Sequence, residues 1–315
     1  AASFQRAVAV KPDYAEAHYN LGNTLQALAQ PAAALACYRK ALAFKPYFPL
    51  AHNNMGNAHK QLGQYDAALA SYRCALELEP GYFEAQGNIL FALNFIPGSA
   101  EQSMAEAREY GRMAAWKAGG QYAAWRCDAN PQRLRVGVVS GDLRNHPVGY
   151  FLESLLPQLD PARVELIAYP GNPKADELTL RIQPYFAAWR PLHGLSDAAA
   201  AQLIHADGVH ILLDLSGHTR HSRLPVFAWK PAPVQVSWLG YFASTGVAEM
   251  DYLLADEVGI APAQQKHFTE SVWYLPDTRL CFTPPKTDQP VAPLPALANG
   301  YLTFGCFQRL DKIGE

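Results

Sequence analysis

The stretch RVGVVSGDLRNHPVGYF, residues 135–151, contains the signal that decides the fold of this chain. A run of valines ends in Ser-Gly-Asp, and a His-Pro pair then opens a new segment. Proline is favoured at the first helical position, so Pro147 makes His146 the predicted N-cap of a helix that follows a buried strand. His146 is then either a plain capping residue or a ring that faces a ligand, and this stretch leaves both interpretations open.

The helix start also predicts the protonation state of His146. The positive end of a helix dipole disfavours an imidazolium ion, so the ring is expected to be neutral. A neutral imidazole near pH 7 is suited to act as a general base or as a hydrogen-bond acceptor.

Similar apolar runs recur along the chain after residue 134 and alternate with helical segments. Strands are predicted at 134–140, 164–170, 210–216, 234–240, 251–257 and 301–307, and helices near 148–158, 175–187, 197–206 and 222–228. Apolar strands that alternate with helices favour a parallel sheet covered on both faces. The sequence therefore predicts a doubly wound, Rossmann-like domain.

Three polar, glycine-bearing loops follow three of these strands. They are SGDLRNHP (140–147), SGHTRHSR (216–223) and GYFASTG (240–246). In open parallel sheets, ligands bind outside the carboxyl ends of the strands. We therefore expect the three loops to open onto one functional crevice.

The second of these loops carries His218 and His221 together with Thr219, Arg220 and Arg223. Two histidines three residues apart suggest a metal site, but without carboxylates or thiols nearby a zinc site is not expected. Binding of an anionic or sugar group fits the loop better.

Two other sites are indicated by position along the chain. His210 precedes a strand and is therefore expected at the amino end of the sheet, away from the crevice. In the last segment, Arg309 and Lys312 follow a strand and stand three apart, a pattern that suits a diphosphate near a helix start.

The first 95 residues repeat with a fixed period. Pro12, Pro46 and Pro80 are 34 residues apart, and alanines, glycines and tyrosines recur in register between them. Paired helices with this period, small residues at their crossings and proline at the unit boundary resemble the tetratricopeptide repeat. The chain begins in mid-repeat, so the natural protein is expected to extend further.

Asn20, Asn54 and Asn88 recur at one offset, on the first helix of each unit. They either keep a surface polar or form a ladder of amides along the concave face. Such a ladder could bind the backbone of an extended peptide whatever its side chains are. After the repeats, residues 96–133 are predicted to form a linker with one helix at 100–118, and Trp116 and Trp125 are expected to be buried between the domains.

Composition excludes several classes of protein. Half of the 315 residues are hydrophobic and the net charge is −2, so neither disorder nor a nucleic-acid footprint is indicated. The sequence offers no apolar stretch of the roughly 20 residues that span a bilayer, and its start lacks the features of a signal peptide. Five scattered cysteines suggest free thiols in a reducing compartment, so a cytoplasmic location is expected.

Four segments follow the repeats in a specific order. These are LRVGVVSGDLRNHP (134–147), DGVHILLDLSGHT (207–219), WKPAPVQVSWLGY (229–241) and FGCFQRLDKI (304–313). Together with the asparagine ladder, they resemble the protein O-linked N-acetylglucosamine transferase family, including its bacterial and SPINDLY-like relatives. The resemblance covers essentially the whole chain.

The resemblance implies a GT-B glycosyltransferase with a cleft between two Rossmann-like domains, which inverts the sugar carbon and needs no metal or cofactor. It implies repeats at 1–95, a linker at 96–133, the first Rossmann-like domain at 134–300 and the start of the donor-binding domain at 301–315. The expected substrates are a UDP-sugar and acceptor proteins that lie along the repeats, with neither nucleic acid nor membrane as a partner.

The resemblance also implies roles for individual residues. His146 would lie near the acceptor hydroxyl as the proposed base, His210 would match a second important histidine, and Lys312 would neutralise the leaving β-phosphate. This role for His210 conflicts with its expected place at the amino end of the sheet. Donor or sugar contacts are expected from Gly217, His218, Thr219, Tyr241, Gln308, Arg309 and Lys312. Asn20, Asn54 and Asn88 would bind the acceptor peptide.

Some features depart from the family pattern. Arg309 stands where animal enzymes have glutamine, and the loop 240–246 stands where they have a Pro-Gly turn. The chain also stops just inside the donor-binding domain, so this fragment alone is expected to be inactive. Two alternatives stay open: a catalytically silent repeat scaffold, against which His146 and Lys312 argue, and transfer from another nucleotide sugar, such as a fucosyl donor.

Overall fold

The computed structural model describes residues 1–282, 290 and 292–304. Its amino-terminal part is a row of helices. They are α1 (Ala2–Val10), α2 (Ala15–Ala27), α3 (Pro31–Phe44), α4 (Pro49–Gln61), α5 (Tyr65–Leu78) and α6 (Phe83–Leu93). The pairs α2–α3 and α4–α5 pack closely along their length, and each pair also packs against the next helix. This confirms the repeat fold that the 34-residue period predicts.

The recurring glycines set the distance between paired helices. A Cβ atom at Gly22 would lie 2.6 Å from the ring of Tyr38, and one at Gly56 would lie 2.5 Å from the ring of Tyr72. Both tyrosines are fully buried, and the Tyr72 hydroxyl donates to Asn57 Oδ1 at 2.9 Å. Because these rings are held in place, only a residue without a side chain fits opposite them.

The linker contains helix α7 (Ala100–Ala118), as predicted, which ends at Gly119 in the left-handed conformation. The prediction for Trp116 is wrong, because its side chain is 84% exposed on the solvent side of α7. Trp125 is half-buried, and its indole Nε1 donates to the Lys230 carbonyl oxygen at 2.9 Å. Among the described residues, no helix is long and apolar enough to cross a membrane.

The second part of the chain is a seven-stranded parallel sheet with strand order β3-β2-β1-β4-β5-β6-β7. The strands are β1 (Leu134–Ser140), β2 (Val164–Pro170), β3 (Ala188–Trp189), β4 (Ile211–Asp214), β5 (Val234–Ser237), β6 (Tyr252–Ala255) and β7 (Ser271–Tyr274). The main helices are α8 (Pro147–Leu155), α9 (Glu177–Ile182) and α10 (Asp197–Ala206), with a short α11 (Pro295–Asn299) near the end. Separate apolar clusters cover the two faces, as the alternating pattern predicts.

Several predicted boundaries differ from the structure. The sequence does not predict β3, which is only two residues long, or β7, whose residues alternate between exposed and half-buried. The predicted helix at 222–228 is a 3₁₀ segment at Leu224–Trp229. Residues 301–304 form no strand, and the rest of the strand predicted at 301–307 lies outside the described residues.

Helix α7 joins the repeats to the sheet through a close approach of two backbones. A Cβ atom at Gly111 would lie 1.9 Å from the carbonyl oxygen of Gly246, and one at Gly246 would lie 1.9 Å from that of Ala107. Leu90 of α6 and Tyr110 of α7 belong to the same apolar cluster as the sheet residues beneath them. The repeats and the Rossmann-like domain therefore share one core.

We expect Gly246→Ala to lower the free energy of unfolding by at least about 4 kcal/mol, because the new methyl group has no room against Ala107. Gly98→Ala is the matched control. Both glycines have φ +76°, but the space around Gly98 is open, so that change should cost only about 1–2 kcal/mol of left-handed strain. Chemical denaturation of both variants measures the difference. Equal losses would show that the contact with α7 contributes nothing.

Candidate crevice at the carboxyl ends of β1 and β4

The crevice forms where the order of strands reverses. Strands β1 and β4 pair in the middle of the sheet, with Val139 opposite Asp214. The chain proceeds from β1 towards β2 and β3 on one side, and from β4 towards β5 to β7 on the other. The loops that follow β1 and β4 therefore diverge, which makes this the topological switch point of the sheet.

The three predicted loops meet at this point, which confirms that expectation. The Gly141 N–H of the first loop donates to Ser216 Oγ of the second at 3.1 Å. A Cβ atom at Gly217 would lie 2.3 Å from the Cβ of Tyr241 in the third loop. Gly217 itself has φ +53°, so glycine is needed there both for the turn and for the close contact.

His146 is the N-cap of α8, as predicted. Its Nδ1 accepts a hydrogen bond from the Val148 N–H at 3.3 Å, and the side chain is 39% exposed at the crevice. Partial burial lowers the pKa of the ring below its usual 6.5; the Asp142 charge acts in the opposite direction, and the Arg144 charge lowers it. The imidazole is therefore neutral at pH 7.

Asp142 is the neighbour of His146 that sequence reasoning missed. Its Oδ2 lies 3.6 Å from His146 Nδ1, and its Oδ1 accepts from Arg144 Nη2 at 3.3 Å. The signal was present in the sequence, because Asp142 and His146 are four residues apart across a loop that leads into a helix. The fold of that loop brings the two side chains together.

A second missed carboxyl, Asp214, forms the floor of the crevice. It is fully buried at the end of β4 and accepts the N–H groups of Ser216 at 3.1 Å and Gly217 at 2.8 Å. Burial raises the pKa of this carboxyl to about 6, with the two backbone hydrogen bonds acting against that rise. Asp214 therefore fixes the start of the second loop.

The structure places His218 inside the molecule and not on the open surface of the crevice. Its Nε2 donates to the Thr245 carbonyl oxygen at 2.9 Å, and its ring packs edge-to-face against Tyr110 at 4.4 Å and Tyr241 at 5.2 Å. Burial lowers the pKa of His218 to about 4, so the ring is neutral.

The other residues predicted to contact the donor differ in exposure. Gly217 and Tyr241 are buried, and the Tyr241 hydroxyl accepts from Asn94 Nδ2 of the repeat region at 3.0 Å. Thr219 is half-buried, and its hydroxyl donates to the Ser216 carbonyl oxygen at 2.8 Å. In the described part of the chain, no three His, Cys, Asp or Glu side chains converge as metal ligands.

The third loop is held by Glu270, another residue that the sequence did not reveal. This buried carboxylate accepts from the Thr245 N–H at 2.7 Å, from the Thr245 hydroxyl and from Ser244 Oγ at 2.8 Å. The loop 240–246 is therefore anchored through Ser244 and Thr245.

The structure does not bring His210 to the crevice. It lies just before β4, where its Nδ1 accepts from the Arg135 N–H at 2.9 Å near the amino end of β1. From Arg135, strand β1 continues for five more residues to Ser140, about 17 Å, before the loop that carries Asp142 begins. The prediction from strand position is confirmed, and the catalytic role implied by resemblance does not fit this geometry. Gln308, Arg309 and Lys312 lie outside the described residues.

The asparagines of the repeats take part in an amide network. Asn54 Nδ2 donates to Asn23 Oδ1 at 2.8 Å, and Asn88 Nδ2 donates to Asn53 Oδ1 at 3.0 Å. These bonds link the first helices of successive units, α2 to α4 and α4 to α6. Asn20 is half-buried, and no side-chain partner is found for it among the described residues. Asn54 and Asn88 thus bind neighbouring helices, whereas the Asn20 side chain does not within the portion of the chain that the structure describes.

Comparison with known proteins agrees with this architecture. Residues 116–282 match the family model of glycosyl transferase family 41, and residues 49–82, 1–28 and 32–63 match tetratricopeptide repeat models. A lysine-to-methionine mutant of the O-GlcNAc transferase from Thermobaculum terrenum is 35% identical, with a TM-score of 0.90 over 99% of this chain and 59% of that chain.

Curated relatives are longer than this chain. The probable UDP-N-acetylglucosamine–peptide N-acetylglucosaminyltransferase SPINDLY of Hordeum vulgare is 38% identical over 72% of this chain and 24% of its own length. The UDP-N-acetylglucosamine–peptide N-acetylglucosaminyltransferase of Caenorhabditis elegans is 36% identical over 47% of this chain and 13% of its own length. The matched region is thus about a quarter of the SPINDLY protein. Since the family model covers more than half of the residues, including the loops of the crevice, the chain belongs to glycosyl transferase family 41.

Proposed function

We propose that the full-length protein transfers a sugar from a UDP-sugar to a serine or threonine hydroxyl of a protein. N-acetylglucosamine is the proposed sugar, because the relatives from barley and C. elegans are named for that donor and a peptide acceptor. We further propose that the reaction inverts the sugar carbon and uses neither metal nor cofactor. The observation that most directly supports this proposal is that His146 is neutral and half-exposed at the crevice beside the topological switch point.

In an inverting transfer the acceptor oxygen attacks the sugar carbon as the bond to the diphosphate breaks. The hydroxyl proton must then pass to a base, and an imidazole with a pKa near or below neutrality suits that task. The base needs a free ring nitrogen. While the Val148 N–H donates to Nδ1, the proton of the neutral ring resides on Nε2, which can then only donate.

Asp142 can stabilise the other tautomer of His146, in which the proton resides on Nδ1. Its Oδ2 lies 3.6 Å from Nδ1, so a small rotation of the ring would let Nδ1–H donate to this carboxylate and leave Nε2 free to accept. The same carboxylate would then stabilise the imidazolium that forms. We propose Asp142 as the positioning residue for His146.

The repeats are proposed to guide the acceptor polypeptide. Two observations support this role: the amides of Asn54 and Asn88 lie along one row of helices, and that row shares a core with the crevice domain. Lys312 remains the proposed partner of the leaving diphosphate.

In the full-length protein, His146→Ala should lower kcat for transfer by about 10²–10⁴-fold, the usual contribution of a general base. His267→Ala, at the end of the 3₁₀ segment between β6 and β7, should retain the wild-type rate. Transfer from a panel of nucleotide sugars to peptides, followed by mass spectrometry, measures both rates and identifies the sugar. Absence of turnover and of nucleotide binding for every donor would favour a repeat scaffold.

The pH profile tests the His146–Asp142 pair. Wild-type kcat/KM should be constant above about pH 6.5 and should fall below the lowered pKa of His146, because protonation removes the base. The Asp142 carboxylate favours the imidazolium, so Asp142→Asn should move this acid limb to lower pH and also reduce the plateau. If Asp142→Asn does not move the acid limb of the pH profile, the proposed pairing of Asp142 with His146 is contradicted.

A further inference from the structure

A second surface lies beside His146, at the carboxyl ends of β1 and β2. Here the chain at His221 crosses two glycines: a Cβ atom at Gly141 would lie 2.8 Å from the His221 Cβ, and one at Gly171 would lie 2.5 Å from the His221 carbonyl oxygen. His221 has φ +63°, a left-handed conformation that is uncommon for a residue other than glycine. Its side chain is nevertheless exposed. The fold thus holds this imidazole at the rim of the crevice at some cost in strain.

Two cations lie near the same imidazole. A Cβ atom at Gly141 would lie 3.1 Å from the Arg220 carbonyl oxygen, and Gly141 lines a cavity together with Lys174. Burial is the largest cause that lowers the pKa of His221, and the charges of Arg220, Arg144 and Lys174 act in the same direction. Arg220 and Lys174 are exposed, and neither side chain has an ion-pair or hydrogen-bond partner within the described ranges.

A small cavity opens next to these cations. It has a volume of about 70 Å³, and Lys174, Asn172, Trp189 and His193 are among the residues that line it. Its wall also includes Gly141, on which the His221 backbone rests. The cavity is large enough for one small polar group but not for a nucleotide.

Three acids of this region already have partners. Asp142 pairs with Arg144 and lies beside His146, and Asp176 accepts the N–H groups of Asn145 at 2.8 Å and Leu178 at 3.1 Å. Asp197 accepts from Arg223 at 2.9 Å and from Lys117 at 2.7 Å. Neither Lys174 nor Arg220 is among these partners, so both exposed cations stay available to an acidic group.

We propose that an acidic side chain of the acceptor polypeptide binds between Lys174, Arg220 and His221 while the serine or threonine that receives the sugar lies at His146. This inference rests on the proposed function and names its preferred substrate class. Asp142 Oδ2 lies 3.6 Å from His146 Nδ1, and His221 packs against Gly141, the residue before Asp142, so the two sites are close. Since an extended chain advances about 3.3–3.6 Å per residue, the acid should lie within about four residues of the acceptor hydroxyl.

The test uses the full-length protein and serine peptides that carry glutamate or glutamine at each of the four positions on either side. We expect kcat/KM to be about tenfold higher for the glutamate peptide than for the glutamine peptide at one or two positions, because two exposed ion pairs can contribute that much. High salt should remove most of this difference, because it screens exposed charges. Phosphoserine at the same position distinguishes a carboxylate site from a phosphate site. Fluorescence anisotropy of the labelled peptides measures the same preference without catalysis.

Three double variants provide the comparison. Lys174→Ala with Arg220→Ala should reduce the glutamate-to-glutamine ratio to near one. Arg108→Ala with Lys266→Ala removes the same charge from exposed sites elsewhere and should preserve the ratio. Lys174→Glu with Arg220→Glu should reverse the preference towards lysine-bearing peptides.

Equal binding and transfer of glutamate and glutamine peptides would overturn this inference and leave the proposed transfer intact. A rise in the KM of the nucleotide sugar in the Lys174→Ala, Arg220→Ala variant, with no change in the peptide ratio, would also overturn it, because the cations would then contact the donor diphosphate. If no transfer occurs with any peptide, the proposed function fails, and the anisotropy ratio still decides whether the acidic site exists.

Discussion

The parallel pairing of β1 with β4 is the constraint on which the crevice depends. Because the chain extends outward from this central pair in opposite directions, the loops that follow the two strands cannot cover each other. One wall then carries Asp142 and His146, and the other carries the loop that begins at Ser216. The buried carboxyl of Asp214 holds that second loop by accepting hydrogen bonds from two backbone N–H groups. The floor of the crevice is therefore fixed by hydrogen bonds within the protein.

The loops after β4 and β5 have two tasks. They shape the crevice, and their buried side chains also bind the repeat region: Tyr241 accepts from Asn94, and the ring of His218 packs against Tyr110 of α7. Gly246 also lies so close to the backbone of Ala107 that no side chain would fit at position 246. The direction of the repeats relative to the crevice is therefore set by packing, as the proposed delivery of a polypeptide to His146 requires.

Local periodicity was sufficient to predict most of the architecture. The 34-residue repeat predicted the helix pairs, and runs of β-branched residues predicted β1 and β2 to the residue. The two missed strands share one cause, namely weak local signal. Strand β3 contributes two residues to an edge next to β2, and β7 is a half-exposed edge strand without a continuous apolar run. Trp116 was expected to be buried between the domains, yet the face of α7 on which it lies meets solvent.

The sequence by itself determined the repeat fold, the doubly wound sheet, the cap at His146 and the three loops that meet at the switch point. Each of these follows from residues that are neighbours along the chain, because helix caps and strand ends are local features. The tertiary structure alone decided that His218 faces inward and that Glu270 supports the third loop. Both outcomes depend on a partner distant in sequence, because Thr245 lies 27 positions from His218 and 25 positions from Glu270, and no local pattern specifies such a contact.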